Sequence, residues 1–99
     1  MNAMGTMTTY AYDQTQIRTT ENHILREAAD AGWRRHGARA SYSSARQSLY
    51  RARGSDGEQR FEALLSFASS RAHARMLRRM AAESEEIARQ YIRSLSERW

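Results

Sequence analysis

The last 42 residues of the chain, 58–99, contain neither glycine nor proline. Without these helix breakers, and with apolar or small residues recurring mostly every three or four positions, the segment is predicted to be helical. A single helix of this length would extend about 63 Å, which is longer than a compact domain of this size. The helix must therefore break or extend along a partner. The recurring positions are Phe61, Leu65, Ala68, Ala72, Met76, Met80, Ile87, Tyr91 and Leu95.

Serines mark two positions at which this segment can break. The first is the pair Ser69-Ser70, and the second is Ser84, which is followed by two glutamates. A serine can cap a helix through its hydroxyl, and acids in the first turn interact favourably with the helix dipole. We expect a bend near Ser84 rather than a straight helix.

The start of the long helix is predicted from the sequence Ser55-Asp56-Gly57-Glu58. This spacing is that of a capping box, in which the serine hydroxyl accepts a hydrogen bond from the glutamate backbone while the glutamate carboxylate reaches back. We therefore expect Ser55 to be the N-cap.

Two shorter helices are predicted before this point. The first begins after Thr19 or Thr20 and ends at Gly37, which can adopt the left-handed conformation of a C-cap. The second covers residues 41–53, and Gly54 stops it. The expected fold is all-α, with two short N-terminal helices packed on a long or bent C-terminal helix. Residues 1–16 are predicted to be a flexible tail and residues 17–99 a single helical domain.

The most apolar part of the chain is the start of the long helix. Phe61, Leu64, Leu65, Phe67 and Ala68 cover more than one helical face. We expect these side chains to form the core against which the two shorter helices pack. The alternative is that they form the shared core of a homodimer, with the apolar stripe of the long helix extending the interface.

Arginine is sorted along the chain. Residues 31–55 hold six arginines and no acid, and residues 63–82 hold four arginines and no acid, whereas the whole chain has a net charge of +5. Sorted positive charge of this kind indicates an anionic partner surface. All sixteen basic residues are arginine, whose guanidinium can bind phosphate in a bidentate way.

These stretches supply the candidate nucleic-acid-binding residues. Arg46, Tyr50 and Arg53 are predicted to share one face, where an aromatic ring between guanidinium groups can stack on a base. Gln47 is placed to reach base edges together with Arg46. The complete set is Arg34, Arg35, Arg39, Arg46, Gln47, Tyr50 and Arg53 in one patch, and Arg71, Arg75, Arg78 and Arg79 in another.

Residues 40–49 have the composition of the recognition helix in a helix-turn-helix motif. The upstream part does not fit this motif. Arg34 and Arg35 stand where the preceding helix needs a small or apolar inward residue, and Arg39 stands where the turn usually has glycine. We therefore expect a basic helix rather than helix-turn-helix geometry.

No catalytic or cofactor signature is present in the sequence. His23 and Glu27 are one turn apart, but no second pair completes a metal site, and Arg18 with His23 matches only a loose ribonuclease spacing. There is no glycine-rich phosphate loop and no nucleophile elbow. We expect a non-enzymatic protein without catalytic residues, metal or cofactor.

Composition also restricts where the protein is expected to be located. The chain has no cysteine, no apolar run long enough for a membrane span and no signal-peptide pattern. We expect a cytoplasmic protein that does not bind membranes. Its expected partner is nucleic acid, DNA rather than RNA. The alternative is a small interaction or inhibitor protein that binds an acidic surface of a larger protein or nucleoprotein complex.

Overall fold

The computed structural model describes residues 3–97 of the chain, with side chains from Gln14 onward. Over these residues the fold consists of two helices and no strand: α1 spans Ala3–Arg53 and α2 spans Gly57–Glu97. The two helices lie side by side in a hairpin with extents of 82 × 15 × 13 Å. The all-α prediction is confirmed. The predicted arrangement of two short helices on a long one is wrong, because α1 is also a long helix.

A seven-residue repeat of alanine holds the hairpin together. Ala31, Ala38, Ala45 and Ala52 are buried on α1, and Ala74, Ala81 and Ala88 are buried on α2. A strict seven-residue period keeps one side of each helix facing its partner through a gentle supercoil. Because alanine has only a methyl group, the helices can approach closely along this seam.

Serines and a glycine complete the seam. Ser48 and Ser84 are the largest fully buried side chains among the described residues, and the Ser48 hydroxyl donates to Ser66 at 3.1 Å. A Cβ atom built on Gly37 would lie only 3.1 Å from Leu77 Cδ1. Gly37 is therefore not the predicted C-cap, because it lies inside α1 and makes room for the Leu77 side chain.

The expected bend at Ser84 is also wrong. Helix α2 is continuous through this residue, whose hydroxyl accepts a hydrogen bond from the Arg34 guanidinium. The hydroxyl is thus satisfied inside the seam and does not act as a cap. The long helix has no need to break, since α1 runs beside it over its whole described length.

The turn between the helices differs from the predicted capping box. Helix α1 ends at Arg53, as predicted, and the Ser55 hydroxyl donates back to the Arg51 carbonyl at 2.7 Å. The first hydrogen bond of α2 is accepted by the Asp56 carbonyl, so the N-cap lies one residue later than expected. Gly57 follows with φ of 59°, a left-handed conformation that favours glycine.

Large apolar side chains are left outside the seam. Leu25, Trp33, Phe61 and Leu65 are each more than half exposed, and Leu95 is the one buried apolar residue larger than alanine among those described. The predicted core at residues 61–68 is therefore wrong, because the seam accepts small side chains and turns the larger ones outward. The division of the chain at residue 16 stays a prediction; most of the expected tail lies outside the residues whose side chains are described.

Candidate nucleic-acid interface

The hairpin brings the two acid-free stretches side by side. Contacts across the seam show that the helices are antiparallel. Gly37 meets Leu77, and Ser48, further along α1, meets Ser66, which is earlier on α2. In this antiparallel register, residues 31–55 run alongside residues 63–82. All ten arginines of the two stretches consequently lie in the half of the hairpin next to the turn.

Seven of these arginines surround one tyrosine. Three shallow grooves along the hairpin all include Tyr42 in their walls, and the largest has a volume of about 580 Å³. We call their arginines the arginine face. Helix α1 supplies three of its members and helix α2 supplies four. They are Arg35, Arg39 and Arg46 from α1, and Arg71, Arg75, Arg78 and Arg79 from α2.

Helical spacing explains why Tyr42 is central. Arg39 precedes it by three residues and Arg46 follows it by four, so all three share one side of α1. Across the seam, the Arg78 guanidinium lies over the Tyr42 ring at 5.8 Å from its centroid. This cation–π contact joins the two acid-free stretches, which are separate in the sequence.

Most of the arginine face has no anionic partner among the side chains that the structure describes. The described ion pairs on the hairpin involve Arg35, Arg89 and Arg93, and the other six members of the arginine face are exposed. Guanidinium groups held close together without carboxylates create a positive potential, which attracts polyanions. The face can therefore offer several phosphate contacts at once.

An ion pair lies at the edge of the arginine face that is farther from the turn. Arg35 Nε and an Arg35 terminal nitrogen both lie 2.7 Å from Glu85 Oε1. The hydrogen bond from Arg35 lowers the pKa of the Glu85 carboxyl, and the same contact raises the pKa of Arg35. Arg35 is thus committed to a partner inside the chain and is the weakest candidate on the face for binding phosphate.

Four of the predicted nucleic-acid-binding residues lie outside the grooves around Tyr42. Arg34 belongs to the seam, where it donates to Ser84 and to the Met80 carbonyl. Arg53 lies over the Tyr50 ring at 5.7 Å, close to the turn, and Gln47 is exposed. None of the four lines the grooves around Tyr42.

The helix-turn-helix alternative does not match the structure. Residues 40–49, and the residues that would form the turn before them, all lie within the single helix α1. Arg46 and Gln47 therefore belong to a long rod and not to a short recognition helix. Tyr42 is the residue that sequence reasoning missed, and its place between Arg39 and Arg46 was the available signal.

Two of the three histidines contact aromatic rings. His23 stacks on Tyr91 across the seam, with 5.1 Å between ring centroids, and His36 meets the Trp33 ring edge-on at 6.4 Å. Within the part of the chain that the structure describes, no three histidine or acidic side chains lie close enough together to hold a metal ion. Neither helix, over its described residues, has a stretch apolar enough to cross a membrane.

Comparison with known proteins finds no relative. No protein-family model matches the chain, and no curated protein and no solved structure matches it.

Proposed function

We propose that this chain is a non-enzymatic nucleic-acid-binding protein whose arginine face contacts the phosphate backbone. The observation that carries the proposal is the convergence of two acid-free stretches, distant in sequence, on one side of the hairpin around Tyr42. A scattered distribution of the same charge would offer a polyanion far fewer simultaneous contacts.

The spacing of the guanidinium groups suits a phosphate chain. Arg39 and Arg46 are seven residues apart, which is about 10 Å along a helix, and Arg71, Arg75 and Arg78 follow one another at about 5 to 6 Å. Successive phosphates of one DNA strand rise by about 3.4 Å along the duplex axis. Long arginine side chains can therefore reach phosphates from both helices.

The proposed contacts are independent of base sequence. Phosphate contacts position a protein on nucleic acid, whereas base-edge contacts specify sequence. Gln47, the predicted base-reading side chain, lies outside the grooves of the arginine face. We therefore propose general affinity for DNA, with RNA as the less favoured ligand and no strong preference between sequences.

The salt dependence of binding tests this proposal. Fluorescence anisotropy would follow binding to a labelled random-sequence DNA duplex, its single strand and the matching RNA, at salt concentrations from about 50 to about 200 mM. Six arginines of the face take part in no ion pair with the described side chains, so we expect log K for the duplex to fall against log salt with a slope near −5, about −0.9 per contact.

Two results would contradict the proposal. One is the absence of nucleic-acid binding at about 50 mM salt, which would favour an acidic protein surface as the partner. The other is binding with a slope near −1, which would mean that the arginine face does not contact phosphates as a group.

A further inference from the structure

Opposite the arginine face, the hairpin has a groove whose lining contains no arginine and no acid. The groove has a volume of about 340 Å³, runs between the helices and is lined mainly by alanine and serine. On a helix of 100° per residue, Ser41 and Ser44 lie on one side of buried Ala45, and Tyr42 and Arg46 lie on the other. The lining residues are Ala40, Ser41 and Ser44 from α1, and Ser69, Ser70 and His73 from α2.

Large apolar side chains lie on the same side of the hairpin as this groove. Trp33 is 75% exposed and lies seven residues before Ala40, so the seven-residue repeat places both on the same side of α1. Met76 lies seven residues after Ser69, and Ile87 lies fourteen residues after His73, so each pair shares one side of α2. One side of the hairpin thus carries a protruding apolar group towards its open end and a recess of small residues towards its turn. We call this side the groove face.

We propose that the groove face binds a second copy of this chain in an antiparallel arrangement, with Trp33 of each copy in the groove of the other. A two-fold axis between the protrusion and the recess makes the surface self-complementary, because each copy then supplies both parts of the contact. The exposed indole becomes buried on association, and no arginine of the arginine face has to be desolvated.

The charge distribution independently favours the antiparallel orientation. The half of the hairpin near the turn holds ten arginines without acids in residues 31–55 and 63–82, whereas residues 14–30 and 83–97 have a net charge of −3. Antiparallel copies place residues 44–55, which hold three arginines and no acid, beside residues 19–30 of the other copy, which have a net charge of −2. A parallel pair would place like charges together, which is unfavourable.

The small core of a single hairpin also favours dimer formation. Its buried apolar residues, within the described range, are eight alanines and Leu95. Trp33, Met76 and Ile87 remain 39–75% exposed, an arrangement typical of an interaction surface. A second copy covers these side chains and leaves both arginine faces directed outward, so dimer formation does not depend on the proposed nucleic-acid binding.

The mass in solution tests the dimer. Sedimentation equilibrium of the full chain should give twice the 11.4 kDa chain mass. Trp33→Glu should weaken the dimer by at least about 30-fold, as expected for a buried aromatic anchor, and shift the mass towards the monomer. Phe61→Glu is the matched control, because Phe61 is 61% exposed but lies on the other side of the hairpin, and it should remain dimeric.

A second pair of variants tests the groove itself. Ser44→Arg fills the recess and should dissociate the dimer, whereas Ser43→Arg adds the same charge one residue away, outside the groove lining, and should not. Circular dichroism would show that each variant keeps its helix content. A parent chain that stays at 11.4 kDa over the whole concentration range, or equal dimer strength in both serine variants, overturns the proposal.

Cysteine cross-linking tests the orientation, since the chain has no cysteine of its own. Asp30 and Ser44 are fourteen residues apart on α1, about 21 Å along the helix, on the same side. In antiparallel copies, residue 30 of one lies near residue 44 of the other. Mixing the Asp30→Cys and Ser44→Cys variants should therefore give a disulfide between unlike chains, whereas cross-linking only between like chains would contradict the antiparallel arrangement.

Discussion

Replacing Ala81 by leucine should lower the free energy of unfolding by about 1–3 kcal/mol. Ala81 is fully buried in the seam, where the closely packed helices leave no space for three further carbon atoms. A leucine there forces the helices apart and weakens the packing of Ala74 and Ala88, one repeat away on either side. Urea unfolding followed by circular dichroism, at one fixed protein concentration, measures the change.

The matched control is Ala82→Leu. Ala82 is exposed and adjacent to Ala81, so leucine there adds the same atoms without entering the seam. Its effect should stay within about 0.5 kcal/mol, the usual range for a surface substitution. Equal effects of the two variants would show that the seam does not pass through Ala81.

The second large effect concerns the arginine face. Changing Arg39, Arg46, Arg71 and Arg75 together to glutamine removes four exposed charges, none of which forms a described ion pair in the hairpin. Glutamine retains part of the aliphatic stem and has good helix propensity, so the fold should be preserved. Counterion release contributes about tenfold per phosphate contact at about 50 mM salt, so DNA affinity should fall by about 10⁴-fold and the salt slope by about 3.6.

A control variant with the same net charge distinguishes the effect of the arginine face on DNA affinity from the effect of total charge. Four other arginines, all outside the arginine face, would be changed to glutamine in the same way. If this control loses as much DNA affinity as the first variant, net charge rather than the arrangement of the face determines binding. The control positions are Arg18, Arg26, Arg89 and Arg93.

Helical structure and the end of α1 were predictable from the sequence. The absence of proline and the long run without glycine predict helices, and the turn is found where Gly54 and Ser55 follow Arg53. The two acid-free stretches are also visible in the sequence. Their placement on one side of a hairpin depends on the antiparallel register, which no local pattern of charge determines.

Most of the errors share one physical cause, namely that the seam is built from small residues. Predictions based on large apolar side chains selected Phe61 and Leu65, both of which are exposed, and read Ser84 and Gly37 as helix ends. Serine and glycine are common at helix ends, but they also fill places where two helices approach closely. Counting alanines at seven-residue intervals, beginning with Ala31, would have identified the seam.

An intrachain disulfide between positions 37 and 77 tests most directly whether the two acid-free stretches run side by side. A Cβ atom at Gly37 would lie 3.1 Å from Leu77 Cδ1, so the double variant Gly37→Cys/Leu77→Cys should form a disulfide at low protein concentration. Gly32→Cys/Leu77→Cys is the control, since a Cβ atom at Gly32 meets nothing within 4 Å. Non-reducing electrophoresis and mass spectrometry should show an oxidised monomer for the first variant alone. A first variant that stays reduced, or a control that oxidises equally well within one chain, would contradict the register and with it the single arginine face.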